Sequence, residues 1–129
     1  MLICYEVIFA GAVIGQEMRP DMMINITNDA WFGHSAGPWQ HLVQAQMRAV
    51  EEGLPLMRVA NTGITAGFSS YGRILGQIGL GTHGILDLPV PPALPPTLFA
   101  RLGNLGFFVL IFLIIGSAAR LDLYRSIRQ

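Results

Sequence analysis

Lysine is missing from this 129-residue chain: all eight basic residues are arginine. Cysteine is nearly missing. Cys4 is the single example, so no internal disulfide forms, and composition says nothing of the redox compartment. Charge of either sign is scarce, at 12% of residues against an ordinary share of about 25%, and the formal net charge is zero. A neutral chain has no electrostatic footprint for nucleic acid. A metal centre is not expected, because one cysteine and three scattered histidines, His34, His41 and His83, make no ligand cluster. No cofactor is implied. Met1 is followed at once by strand-like sequence without a basic leader, so no signal peptide is expected.

What is there is mostly apolar. Hydrophobic residues make up 52% of a chain about one domain long, so it buries surface in protein, lipid or both. The opening stretch Met1–Ile8 reads as the end of a buried strand that turns sharply at Cys4, with a short helix over Val7–Gly15. Gln16–Asp21 is a polar break. Met22–Thr27 is rich in β-branched residues and reads as a buried strand, so the sequon at Asn25 is discounted. Asn28–Gly37 reads as a loop, although it carries Trp31 and Phe32. Pro38 suits a first helical position, and Val43, Met47, Val50 and Leu54 recur at helical spacing up to Gly53, a C-cap, and Pro55, a stop. Leu56–Ala60, Ile64–Ser69 and Ile74–Ile78 predict a β-meander, with a last strand over Ile85–Val90.

Five prolines in residues 89–96 then mark a stiff linker and a boundary. Beyond it, Leu102–Ala119 is uncharged and bracketed by Arg101 and Arg120. With residues 98–100 added it matches the ~30 Å of a bilayer core at ~1.5 Å per residue. The alternative, a helix buried in a large core, asks more of this small domain than it holds. Arg120, Arg125 and Arg128 follow the span, so the positive-inside rule puts the C-terminus in the cytoplasm and the globular part outside.

Cys4 has two readings. A lone cysteine usually packs as a small hydrophobe. A thiolate nucleophile is the other reading, with a helix N-terminus beyond Cys4 lowering its pKa and the Tyr5 N–H as first oxyanion donor. Glu6 suits the first turn of that helix or orients the site, but a carboxylate there does not favour a thiolate and is not the activating base. His34, His41 and His83 are candidates for a Cys–His pair, without distinctive spacing. Trp31 and Phe32 either fold back on the core or line an acyl pocket or membrane surface. Arg58 and Asn61 flank a strand end, where a solvated arginine and a turn asparagine explain them as well as a site does.

The blocks Leu2-Ile3-Cys4-Tyr5-Glu6, Arg19-Pro20-Asp21, Asn25 to Gly33, Gly37-Pro38-x-Gln40-His41 and Arg58-x-x-Asn61-Thr62-Gly63 stand here in order. Together they resemble the apolipoprotein N-acyltransferases, a membrane branch of the carbon-nitrogen hydrolase (nitrilase) superfamily, over essentially the whole chain. The resemblance implies that Cys4 is the nucleophile and takes an acyl chain from phospholipid as a thioester. The amine of an apolipoprotein's N-terminal cysteine then attacks it. It implies that Tyr5 and Glu6 support the nucleophile and that Trp31 and Phe32 lie near lipid. That family uses a Glu-Lys-Cys triad whose Glu and Lys precede the Cys; here three residues precede Cys4 and no Lys exists.

The expectation is therefore an α+β chain, the C-terminal half of a nitrilase-like αββα sandwich followed by one transmembrane helix. Residues 1–88 are the hydrolase part, 89–97 a proline-rich linker, 98–120 the membrane helix and 121–129 a cytoplasmic tail. Such a half-sandwich has open sheet edges, folds poorly and is inactive alone. Its location is a bacterial inner membrane. The alternatives are a non-catalytic membrane-anchored remnant, a subunit completed by another chain, or a soluble-type amidase or nitrilase.

Overall fold

The computed structural model describes residues 1–15 and 18–127, with the backbone alone for residue 119 and residues 121–127. Five strands form one mixed sheet in sequence order: β1 (Leu2–Ile3), β2 (Met23–Asn28), β3 (Leu56–Asn61), β4 (Thr65–Phe68) and β5 (Ile74–Ile78). β1, β2 and β3 are parallel; β4 and β5 return antiparallel, which is the expected meander. A parallel pair needs a crossover, and α1 (Gly37–Glu52) supplies the one between β2 and β3.

The helix starts and stops where its punctuation says. Pro38 sits in the first turn, and Gly53 closes it in the left-handed region at φ 65°. Its facing is the reverse of what the apolar repeat suggests. Val43, Met47 and Val50 are about half exposed, and Leu54 lies beyond the helix. The buried face carries Leu42, Ala45 and Ala49 beside the polar His41, Arg48 and Glu52. Two fully buried alanines let the helix sit close to the sheet. Arg48 pairs with Glu51 at 2.8 Å and donates to the Ile8 carbonyl, and Arg19 donates to the Glu52 backbone carbonyl at the end of the helix.

Strand β2 alternates cleanly, with Met23, Asn25 and Thr27 buried and Ile24, Ile26 and Asn28 exposed. The inward row joins Leu2, Val7, Leu42, Ala45, Ala49, Leu54, Leu56 and Phe68 in the core. The outward row, with Ile3 and Val59, leaves an apolar strip of sheet uncovered.

Two expectations are corrected. The helix expected over residues 7–15 is a 3-10 turn over Cys4–Ile8, and bends follow it; Gln16 and Glu17 of the polar break lie outside the described residues. Residues 85–90 form no strand. Met57, Gly67 and Gly76 are register partners across β3, β4 and β5, and the absent glycine side chains leave a trough that Leu88 and Leu86 fill. The segment therefore lies across the sheet face instead of extending its edge, and Pro89 lacks the N–H an edge strand would use. The proline-rich stretch is likewise tied down: Ser70 donates to the Pro92 carbonyl and the Leu94 N–H to the Gly53 carbonyl.

The apolar tail is two helices, not one. α2 (Leu98–Leu102) is capped by Thr97 and ends at Gly103, φ 53°; α3 runs Leu105–Ile127. Along residues 105–118 the apolar side chains are exposed nearly all round, so no core encloses them. Those residues span about 21 Å, short of the ~30 Å hydrocarbon core. Among the described residues no helix is long and apolar enough to cross a membrane. Arg125 and Arg128, invoked for orientation, lie outside the described side chains.

Candidate active site

Cys4 sits where β1 ends and the 3-10 turn begins, with φ 49°. A non-glycine residue in the left-handed region costs on the order of 1–3 kcal/mol and persists only where its surroundings impose it. Those surroundings are specific. The Asn25 side-chain amide donates to the carbonyls of Leu2 (3.3 Å) and Cys4 (3.4 Å), gripping the chain on both sides of Ile3. The Glu6 carboxylate turns back and accepts from the Ile3 N–H at 2.7 Å. Glu6 thus fastens the turn to its own strand. The Cys4 thiol is partly buried.

Behind the turn lies a buried polar cluster. Arg58, fully buried, spends each arm of its guanidinium: Nη1 donates to Asn25 Oδ1, Nη2 to Asp29 Oδ2 at 2.6 Å, and Nε to the Ile64 carbonyl at 3.3 Å. Asp29 also accepts from Thr27 Oγ1 at 3.1 Å and meets His41 Nδ1 at 2.9 Å. Burial alone would raise the Asp29 pKa. The His41 hydrogen bond, the Arg58 and His41 charges and the Thr27 bond outweigh it and hold the carboxyl below its ordinary 3.8. An ionised Asp29 only accepts, so His41 Nδ1 carries the proton. The 3.2 Å approach of Arg58 to the same nitrogen is then two donors converging on one carboxylate. His41 Nε2 is buried without a hydrogen-bond partner among the described residues. For Arg58, burial lowers the pKa, opposed by the charge and hydrogen bond of Asp29. Gly63 completes the enclosure, since any Cβ there would collide with the Asp29 carboxylate.

The aromatic residues divide. The Tyr5 ring stacks on His41 (centroids 5.2 Å, 22°), and Phe32 meets both rings edge-on at 5.9 Å. Trp31, in the same 3-10 turn (Ala30–Phe32), is 88% exposed. Asn61 pins the start of this turn: its carbonyl accepts from the Asp29 N–H, and its amide donates to Asn28 Oδ1. The structure therefore gathers Cys4, Tyr5, Phe32, His41 and Arg58, and leaves Trp31 outside. His34 is exposed and lines a separate cavity of about 250 Å³ with Asp29, Ala30, Gly33 and Thr62, and His83 is exposed. Among the described residues no group of His, Cys, Asp or Glu is placed to hold a metal ion.

Sequence reasoning undervalued Asn25, Asp29 and Arg58. The signal was present: alternation in β2 and β3 puts Asn25 and Arg58 on the buried face beside Met23 and Leu56, and a buried polar residue needs a partner. The solvated-arginine reading of Arg58 is thereby overturned.

The mixed sheet carries a cysteine on a left-handed turn at its edge, backed by a buried Arg-Asp pair, and the sequence places it: the chain belongs to the carbon-nitrogen hydrolase family, whose pattern covers residues 1–94. The likeness read from Cys4-Tyr5-Glu6 and Asn28–Gly33 is also borne out. The chain is similar to the apolipoprotein N-acyltransferase of Bradyrhizobium diazoefficiens, with 54% identity over 92% of this chain and 22% of that protein. It is similar to that of Rhodopseudomonas palustris, with 51% identity over 88% of this chain and 21% of that protein. With that of Rickettsia bellii it shares 43% identity over 88% of this chain and 23% of that protein. The chain thus spans about a fifth of the length of these relatives.

Proposed function

We propose that this chain is the nucleophile-bearing, C-terminal part of an apolipoprotein N-acyltransferase. The observation that carries the reading is Cys4 in a left-handed turn, clamped by Asn25 and Glu6, in a sequence half identical to proteins of that name. In this reading the Cys4 thiolate attacks the ester carbonyl of a phospholipid acyl chain. The tetrahedral oxyanion is met first by the Tyr5 N–H. The ester C–O bond breaks, the lysophospholipid alcohol leaves with a proton, and a thioester remains on Cys4. The free α-amine of the apolipoprotein's diacylated N-terminal cysteine then attacks the thioester; the C–S bond breaks, an amide forms and the thiol is regenerated. Glu6 holds the turn. Phe32, beside Tyr5, and the exposed Trp31 receive the acyl chain.

Residues 1–88 are the hydrolase part in this reading and 89–97 the tether. Residues 98–120 are the membrane segment, bent at Gly103, with 121–129 on the cytoplasmic side of a bacterial inner membrane and the sheet on the outer side. The all-round apolar exposure of residues 105–118 supports burial in lipid. A base and an oxyanion lysine are both needed, and the chain has no lysine. A chimera tests the reading: this chain replaces the corresponding segment of the Bradyrhizobium diazoefficiens relative. The chimera is expected to N-acylate apolipoprotein and to accumulate a hydroxylamine-labile acyl adduct on Cys4. Cys4→Ala in the chimera should lower turnover by about a thousandfold or more. A folded chimera with no adduct and no turnover sinks the proposal.

A further inference from the structure

We propose that Arg58 is a positioning residue that holds the Cys4 turn and the Trp31–Phe32 turn in one register. The inference rests on the acyltransferase reading for what the two turns do, and on geometry for how they are joined. Each arm of the guanidinium leads to one of them. Through Nη1 it grips Asn25, whose two amide hydrogens reach the Leu2 and Cys4 carbonyls. Through Nη2 it grips Asp29, whose carbonyl accepts from the Phe32 N–H at 3.0 Å and closes the aromatic turn. Through Nε it is fixed to the Ile64 carbonyl at the start of the meander.

The fork is planar and rigid, so the separation of its arms is set by bond geometry. An ammonium on a flexible stem has no such fixed span. The strained φ of Cys4 makes the grip necessary: nothing intrinsic to the residue holds it there. A second contact closes the loop on the outer side, where Tyr5 and Phe32 meet over His41. An acyl chain lying on Phe32 would thus present its carbonyl at a fixed distance from Sγ, and a displacement of about 1 Å at such a site can cost about a hundredfold in rate.

The test uses the ¹⁵N,¹³C-labelled full chain in phosphocholine micelles. The three-bond HN–Hα coupling and the Cα and Cβ shifts of Cys4 report its φ, and the amide shifts of Ala30, Trp31 and Phe32 report the aromatic turn. Asn25→Leu is expected to take Cys4 out of the left-handed region and leave Ala30–Phe32 unmoved. The rate of Cys4 alkylation by iodoacetamide should change by about fivefold or more. Arg58→Met is expected to move both sets together; if it does not fold, Arg58→Met with Asp29→Asn removes both charges and carries the same expectation. A purely structural arginine would lower the melting temperature without displacing either turn. Cys4 still left-handed in Asn25→Leu, or only one set moving when Arg58 is lost, overturns the proposal. None of these readouts needs acyl transfer. A Cys4 that never acylates in the chimera but answers as described would end the acyltransferase reading and leave the positioning role standing.

Discussion

At the scale of the residue, a few buried polar side chains decide more than the apolar ones. Arg58 and Asp29 are both fully buried and 2.6 Å apart. Removing one partner leaves an uncompensated charge, so Arg58→Met should cost about 3–5 kcal/mol in chemical denaturation, and pairing it with Asp29→Leu should recover much of that. Acidity should tell the same story. Asp29 is held below its ordinary 3.8, so its contribution is complete above that value and is lost as pH falls through the lower folded value. Glu51 and Glu52 act in the opposite sense. Burial lifts both above 4.5, Glu51's charge lifts Glu52 further, and stability should decline as pH rises from 4.5 toward those raised values. Melting temperature against pH should show both effects. Asp29→Asn should flatten the acid limb, and Glu52→Gln the decline above it. The composition left Arg58 ambiguous because an isolated arginine near a turn is usually solvated. What makes it central is the register that sets Arg58 opposite Asn25, which no local window contains.

At the scale of the element, α1 shows what periodicity can and cannot say. Its ends were legible from Pro38, Gly53 and Pro55, because caps are local chemistry. Its facing was not: the most apolar stripe looks outward, and alanines and hydrogen-bonded polar groups look inward. The facing is checkable. Ala45→Leu, which overfills a tight contact, should cost about 1–3 kcal/mol, whereas Met47→Gln on the half-exposed face should fall within about 0.5 kcal/mol. The segment over residues 85–90 was misread for a related reason. Strand propensity says nothing of whether an edge or a face is offered, and glycines at 67 and 76 offer a face. Gly67→Leu should evict Leu88, destabilise the chain by about 1–3 kcal/mol and open residues 85–90 to limited proteolysis.

At the scale of the whole molecule, one face of the sheet is closed by α1 and the other is only partly closed. The strands of the sheet and the meander through β3, β4 and β5 were readable from hydrophobic runs and turn residues, and the family from motif blocks in sequence; the parallel pairing of β1, β2 and β3 was not. How the apolar tail divides was not readable, because a run of apolar residues looks the same whether or not Gly103 breaks it. In the proposed membrane setting the full chain should stay in the pellet after alkaline carbonate extraction. A chain ended after Thr97 should be extracted, though its open sheet strip would favour aggregation. Recovery of the intact chain in the carbonate supernatant would count against a spanning segment.

The bonds that hold the Cys4 turn differ in their reach along the chain. Glu6 meets the Ile3 N–H three positions away, whereas Asn25 reaches the Cys4 carbonyl across 21 positions and is itself gripped by Arg58 across 33. Closing those loops is entropically costly until β2, α1 and β3 have come together. The long-range grip on the Cys4 turn should therefore form after those elements have paired. In native-state hydrogen exchange the Ile3 amide, held by Glu6, should exchange through local opening, well ahead of the β2 and β3 amides, which wait for global unfolding. The turn that carries Cys4 would thus be completed on a scaffold already assembled.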